Sequence, residues 1–505
     1  MKPTLPTRVR AFLGSRSRLT WLIIGLSLEI VLVALFQSPY QRFEQFAVLD
    51  SGGELVIQDL LRRGYRPGVD FGYLYGLLPL LIGRGWYALA GLSPGAFRVE
   101  VVACSVVTAW GLARFCAARR VGAAGLALVV LAIPDMLRVT YISLVQTMEQ
   151  AILVHALAEQ ARGRRASALA LVTACWFVKP SLAAVQGLAL VVAILLARRR
   201  GEWTSWTRMF GPALLTALSV SAILALSFGP RALARTILPL TGMEIYRAGG
   251  YGFFRKAGRD FWLLPHASLL DYFRYEVGFW LLGTVCLFAG AAYLLWRGRR
   301  DRRDPLSVEC VATCALVHLG FIALVFGHRG TWFYSWSMLI LGLAVLADRL
   351  PGGRWAGWAF VLMLLVSDRS KAVELVRMWK VDAPYSATLN LWVSPQERAD
   401  WQTALDLTRG HRPALFTMCE GAAVFLPGFA PTTGAYFVAG NALPAELARK
   451  AEQLRTASMI LTFRPPYWVG FHPWPELMDA LKAREIVMDG HTLRVYRRIE
   501  PGPNR

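Results

Sequence analysis

Hydrophobic residues fill long runs along most of this chain, and short clusters of arginine separate the runs. Repeated apolar runs of about 17–25 residues indicate helices that cross a membrane. The chain is therefore predicted to be an α-helical polytopic membrane protein with about eleven crossings. They are placed at residues 21–36, 97–116, 121–133, 141–158, 166–178, 182–196, 209–228, 277–295, 307–326, 332–347 and 355–366.

The positions of the basic clusters give the number and direction of the crossings. Cytoplasmic loops of membrane proteins are enriched in Lys and Arg, so clusters on the same side must be joined by an even number of crossings. The N-terminus is basic and is predicted to be cytoplasmic, with an uncleaved signal-anchor helix after it. The later clusters lie at Arg119 and Arg120, at 162–165, at 198–200, at 297–303, and at Arg349 and Arg354.

This topology has a consequence for the apolar segment 73–92. If all clusters face the cytoplasm, the segment does not cross, and it is predicted to form interfacial or re-entrant helices outside the membrane. It contains Pro79, Arg84 and the glycines Gly76, Gly83 and Gly85, which suit a lipid-facing helix poorly. The alternative is a plain crossing that places several arginine clusters outside.

Two domains are predicted. Residues 1–366 form the transmembrane module, with a first outer loop at 37–96, a short second outer loop around residues 134–138 and a third at 229–276. Residues 367–505 form a small extracytoplasmic α/β domain. Its strands are expected at 414–417, 458–463 and 493–496, and its helices at 395–408 and 445–455.

Composition excludes other classes. Only 17% of the 505 residues are charged, against about 25% in a typical soluble protein. The net charge of +22 would suggest nucleic acid in a soluble protein, but these basic residues lie between apolar runs, where membrane topology explains them. No nucleic-acid partner is expected.

An acidic residue stands at the start of the first outer loop. Asp50 follows the first apolar run and precedes Glu54 and a stretch of helical period. A carboxylate there can accept a proton from a hydroxyl at the bilayer surface. It can equally be the N-cap of the following helix. Asp70, before a Gly-aromatic segment, is a further candidate, and a turn residue is the alternative for it.

The order of these features resembles the GT-C membrane glycosyltransferases, which include aminoarabinose and O-mannosyl transferases. The residues that carry the resemblance are Leu49-Asp50, Glu54, the segment 69–76 with Asp70, Tyr73 and Tyr75, and then Phe97-Arg98. The resemblance covers about the first half of the chain. It implies that Asp50 is the catalytic base, that Glu54 is the acid one turn later, and that the sugar donor is a polyprenyl phosphate.

Basic residues outside the membrane are candidates for binding the donor phosphate. Lys179, before Pro180, matches a lysine-containing helix break of the same superfamily; snorkelling of Lys179 to the interface is the alternative. A basic and aromatic stretch in the third outer loop suits a phosphate and a sugar ring, but also any anionic lipid surface. The candidates beyond Lys179 are Arg247, Arg255, Lys256, Arg259 and Arg329.

The second outer loop departs from the family pattern. Many members carry an acid a few residues past an arginine; here Gln146 follows Arg138 at about that distance, and Glu149 lies one turn deeper. Arg138 and Glu149 are kept as candidate substrate-loop residues together with Asp70, Tyr73 and Tyr75. No metal site and no cofactor are expected.

The prediction is an inverting glycosyltransferase in the plasma (inner) membrane. It would transfer a sugar from a polyprenyl-phosphate donor to an extracytoplasmic lipid, glycan or protein, among membrane lipids. The alternatives are a flippase or transporter of lipid-linked oligosaccharides, and an O-antigen-type polymerase or ligase. Charges gathered at loop ends and a soluble tail favour the enzyme over the transporter.

Overall fold

The structure is a computed structural model that describes most of the chain. The described residues are 15–36, 50–134, 144–199, 205–238, 277–298, 304–325, 335–381, 385–386, 391–392, 394–411, 414–416, 421, 424, 443–464 and 475–499.

Fourteen helices make up the described part of the first 381 residues. They are α1 (Ser15–Phe36), α2 (Asp50–Arg62), α3 (Leu78–Ala90), α4 (Pro94–Arg119), α5 (Ala123–Leu131), α6 (Leu144–Ala161), α7 (Arg165–Trp176), α8 (Pro180–Arg199), α9 (Trp206–Phe228), α10 (Pro230–Ile237), α11 (Val277–Gly298), α12 (Pro305–Val325), α13 (Trp336–Arg349) and α14 (Gly353–Val381). Each predicted crossing coincides with one of them. The ends differ most at α14, which continues past residue 366 to Val381, and at α1, which begins at Ser15 rather than at residue 21.

Six of the described helices are long and apolar enough to cross a membrane: α1, α4, α8, α9, α11 and α12. The protein is therefore an integral membrane protein. The helices α6 and α13 lie inside the bundle, with almost every residue buried. Their interior position explains why α6 can carry buried polar residues such as Gln146 and Glu149.

One end of the bundle gathers the predicted cytoplasmic clusters; we call it the basic end. Asp304 pairs with Arg119 at 3.3 Å and with Arg349 at 2.9 Å. Arg165 and Glu309, both buried, form a two-pronged pair with N–O distances of 3.0 and 3.1 Å. Arginines from three of the predicted clusters thus lie at the same end of the bundle as two acidic residues that follow the cluster at 297–303. The prediction that these clusters share one side of the membrane requires such an arrangement.

The opposite end, which we call the loop end, carries α2, α3 and α10. Helix α3 has only 13 residues, about 20 Å at 1.5 Å per residue, whereas the bilayer core is about 30 Å thick. Its two faces differ: Leu80 and Tyr87 are buried, whereas Leu89 is 89% exposed. A short amphipathic helix of this kind fits the predicted interfacial position of segment 73–92.

The tail contains a four-stranded sheet of order β3-β4-β6-β5. The elements after α14 are β1 (Tyr385–Ser386), β2 (Leu391–Trp392), α15 (Pro395–Thr408), β3 (Ala414–Phe416), α16 (Pro444–Thr456), β4 (Met459–Phe463), α17 (Pro475–Lys482), β5 (Arg484–Asp489) and β6 (Leu493–Arg498). β3 runs parallel to β4, and the other pairs of this sheet are antiparallel. Every predicted tail element is present; β5, α17 and the β1–β2 pair were not predicted.

The tail packs on the loop end of the bundle. Trp401 of α15 and Leu461 of β4 belong to the same apolar cluster as Leu55 of α2 and Phe97 of α4. Asp400 ties α15 to the turn before β6, accepting hydrogen bonds from the backbone N–H and the hydroxyl of Thr492. Burial of this apolar surface holds the tail against the first outer loop.

Candidate active site at the loop end

The break between α7 and α8 holds the first outer loop in place. Pro180 cannot continue α7, so the carbonyls of Phe177 and Val178 are free of helix partners. Gly76 donates its N–H to the Val178 carbonyl and Leu78 donates to that of Phe177, both at 3.0 Å. A Cβ on Gly76 would lie 2.0 Å from the Phe177 oxygen, so only glycine allows this approach.

Lys179 lies next to these two bonds and faces two predicted site residues. Its Nζ is 3.4 Å from Oε2 of Glu149 and 6.0 Å from the ring centroid of Tyr75. The Tyr75 ring packs edge-on against that of Tyr73, with centroids 5.8 Å apart. The structure therefore brings together Lys179, Glu149, Tyr73 and Tyr75, which lie far apart in the sequence.

The two charged members of this cluster differ in burial. Glu149 is fully buried and the side chain of Lys179 is 17% exposed. A buried ion pair costs desolvation energy that is recovered only in part, so it is weak evidence for a role in stability. Ionisable groups at membrane depth more often belong to a functional site. The more exposed member of the pair is the cation.

The helix that begins at Asp50 belongs to the same apolar clusters as this break. Leu55 of α2 shares an apolar cluster with Val178, and Val56 shares another with Phe177. Asp50 is the first residue of α2, as its position before the helical stretch predicts, and its side chain lies outside the described residues. Both readings of Asp50, base and helix N-cap, are consistent with that position.

Glu54 faces a buried polar cluster that the sequence did not predict in full. Gln58 donates to Glu54 Oε1 at 3.2 Å, and Glu54 is 5% exposed. Burial, together with the carboxylates of Glu100 and then Glu54, raises the pKa of Tyr87 on α3. Glu100 of α4 is equally buried. Sequence reasoning missed Glu100, although an acid in an apolar helix is itself a signal of function.

Asp70 occupies a turn. Its carboxylate accepts hydrogen bonds from the Arg66 backbone N–H at 2.8 Å and from the Arg66 guanidinium at 2.9 and 3.3 Å. The side-chain bond from Arg66 holds the pKa of Asp70 below its usual value. Of the two readings of Asp70, the structure favours the turn residue.

Two later segments of the chain clamp the turn at residues 66–72. From α16 of the tail, Glu446 accepts a 2.8 Å hydrogen bond from the Gly72 N–H, and Arg449 donates to the Asp70 carbonyl. From α10, Arg235 donates to the Gly68 carbonyl at 3.0 Å. The tail therefore contacts the loop that leads directly to Tyr75. The tail residues Glu446 and Arg449 were not predicted as site residues.

The remaining predicted site residues lie outside the part of the chain that the structure describes. They are Arg138, Arg247, Arg255, Lys256, Arg259 and Arg329.

The chain was compared with protein families, curated proteins and solved structures. No protein-family model matches this sequence, and no curated protein matches it either. The chain is similar to the crystal structure of ArnT from Cupriavidus metallidurans bound to undecaprenyl phosphate. That similarity covers 95% of this chain and 98% of the other, at a TM-score of 0.47 and 12% sequence identity.

Proposed function

We propose that the protein is an inverting membrane glycosyltransferase that uses a polyprenyl-phosphate-linked sugar as its donor. The observation that carries the proposal is the position of Lys179. Its ammonium lies 3.4 Å from Glu149 and 6.0 Å from the ring centroid of Tyr75, on a helix break whose residues share apolar clusters with the helix that begins at Asp50. A fixed cation at this end of the bundle can stabilise the negative charge of a departing lipid phosphate.

The two ends of the bundle support an extracytoplasmic site. The arginine clusters meet at the basic end, whereas Lys179, the first outer loop and the tail helix α16 meet at the loop end. The positive-inside rule assigns the basic end to the cytoplasm. On this assignment the N-terminus is cytoplasmic in the plasma membrane, and the tail and the site face outward.

The reaction would be a single displacement. The acceptor hydroxyl oxygen attacks the anomeric carbon while the bond from that carbon to the phosphate oxygen breaks. Asp50 takes the proton of the hydroxyl, and the polyprenyl phosphate leaves with the bonding electrons. The configuration at the anomeric carbon is inverted because attack and departure occur on opposite faces.

Lys179 would neutralise the charge that develops on the departing phosphate. In the structure Glu149 is its counterion, so a bound donor phosphate would become a second anion at the same ammonium. Holding the lysine in place beforehand avoids reorganisation during the reaction. The third-loop arginines, by the family resemblance, would add further positive charge.

A transfer assay in detergent separates this proposal from the transporter alternative. Detergent micelles have no two leaflets, so a transporter has no turnover to measure there. Solubilised membranes that contain the protein are incubated with a lipid extract of the cells that make it, and products are analysed by mass spectrometry. We expect a new glycosylated product that is absent when the protein is absent; no such product would contradict a transferase.

A further inference from the structure

A cavity of about 430 Å³ opens between α11, α13 and α14, at the basic end of the bundle and far from Lys179. Its walls are three helical stripes with the spacing of successive turns. They are formed by Cys286, Ala289, Gly290 and Tyr293; by Leu343, Leu346, Ala347 and Leu350; and by Gly353, Ala356, Gly357 and Phe360, with Pro351 at the end. Each stripe spans eight residues, about 10 Å along a helix.

Small side chains make this groove. Ala289 and Ala356 line the groove and are exposed, because a methyl group is too small to fill the space between the helices. Close contacts beneath them fix the depth of the groove: a Cβ on Gly290 would lie 2.6 Å from Leu346 Cδ1, and one on Gly357 would lie 2.9 Å from the Ala347 Cβ. The helices therefore pack closely at the floor and diverge at the surface, which leaves an apolar slot parallel to their axes.

The end of the slot carries positive charge and aromatic rings. Arg297 follows Tyr293 by one turn on the same face of α11, and Arg354 adjoins Gly353; both arginines are exposed. Trp296 and Trp355 are 54% and 81% exposed beside them. Exposed tryptophans mark the level of lipid headgroups, where arginines meet the phosphates of anionic lipids.

We propose that this groove, which we name the α11–α14 groove, binds one anionic phospholipid of the leaflet at the basic end. An acyl chain lies along the three apolar stripes, and Arg297 and Arg354 hold the headgroup phosphate. Basic pockets between transmembrane helices are a known way to recognise anionic headgroups. The occupant is a phospholipid rather than the sugar donor, because the cation proposed for the donor lies at the opposite end. Only the choice of a phospholipid over the sugar donor rests on the proposed function; the groove and its arginines are observed independently of it.

Photo-crosslinking in nanodiscs tests the groove. The intact protein is placed in phosphatidylcholine nanodiscs that contain a trace of phosphatidylglycerol or of phosphatidylcholine, each with the same diazirine on one acyl chain. Labelled peptides are mapped by mass spectrometry. We expect phosphatidylglycerol to label the peptides that carry residues 286–297 and 343–360 more strongly than phosphatidylcholine. About 1 kcal/mol per arginine corresponds to roughly a fivefold preference for each.

Two kinds of variant distinguish recognition of the lipid headgroup from binding of the acyl chain. The double variant Arg297→Gln, Arg354→Gln should bring the ratio of labelling by phosphatidylglycerol to labelling by phosphatidylcholine close to one. Ala289→Trp should reduce labelling by both lipids, because the indole fills the slot. The control Leu214→Trp, at an exposed position of α9, should change neither. Equal labelling by both lipids in the unmodified protein, or unchanged labelling of Ala289→Trp, would overturn the proposal. So would displacement of the phosphatidylglycerol label by an equimolar polyprenyl phosphate, which would assign the groove to the donor.

Discussion

The ammonium of Lys179 lies 3.4 Å from the carboxylate of Glu149, a residue fully buried in the bundle interior. The pair joins α6 to the break between α7 and α8, and it lies beside the ring of Tyr75. Removing one partner leaves the other as an uncompensated buried charge, whereas removing both does not. Comparing the single and double variants therefore separates the effect of the pair on stability from its proposed effect on sugar transfer.

Lys179→Met should lower both stability and sugar transfer. The unpaired Glu149 should cost about 3–5 kcal/mol, and the lost cation should lower kcat/KM by about 10²–10³-fold. Adding Glu149→Gln should restore much of the thermal stability but none of the transfer. Lys482→Met, at an exposed lysine of the tail, is the matched control and should change neither. A double variant that transfers sugar at the normal rate would remove Lys179 from the mechanism.

Gly76→Ala should displace the first outer loop from the helix break. The added methyl would meet the Phe177 carbonyl, and overpacking of this kind costs about 1–3 kcal/mol. We expect a lower thermal midpoint and a loss of transfer, because Tyr75 and Lys179 move apart. Gly85→Ala, in helix α3 with open space around it, is the control; it should leave transfer unchanged and should not lower the thermal midpoint, because Ala favours a helix over Gly. Normal activity of Gly76→Ala would show that this contact does not position the site.

Glu446→Ala should loosen the tail from the first loop. The buried Gly72 N–H would lose its acceptor, at a cost of about 1–3 kcal/mol. Hydrogen exchange at residues 66–75 should become faster, and kcat should fall if the tail positions this loop. Glu452→Ala changes an exposed glutamate of the same helix and should leave the exchange as it was. Unchanged hydrogen exchange at residues 66–75 in the Glu446 variant would show that the hydrogen bond from Gly72 to Glu446 does not hold this loop in place.

Asp70→Asn should affect stability in a pH-dependent way and leave transfer nearly normal. Because Arg66 lowers the pKa of Asp70, the carboxylate stabilises the fold above its unfolded pKa of about 3.9. That contribution is lost as pH falls through the lower folded pKa. The difference in thermal midpoint between the protein and the variant should be small at pH 7, since the pair is exposed, and should vanish at acidic pH. A strong loss of transfer would instead place Asp70 in the reaction.

The sequence predicted the elements better than their contacts. Apolar runs and arginine clusters located a helix at every predicted crossing, because burial in lipid and the sidedness of charge both act on local sequence. Strand β5 was not predicted because buried and exposed residues alternate only weakly along it, and both of its faces carry exposed residues. The meeting of Tyr75, Glu149 and Lys179 could not be predicted from spacing, since it depends on how three distant segments pack. The sequence left open whether Asp70 is a turn residue or a site residue, because that choice depends on its contacts with Arg66.

The most direct test of the account is the change Asp50→Asn, assayed for sugar transfer in solubilised membranes with mass spectrometry of the product. Asp59→Asn is the matched control, since Asp59 lies on the same helix and forms a half-buried ion pair with Arg63. We predict that Asp50→Asn accumulates to normal levels and makes no product, whereas Asp59→Asn makes the normal amount. Normal product formation by Asp50→Asn would contradict the assignment of the base and, with it, the proposed mechanism.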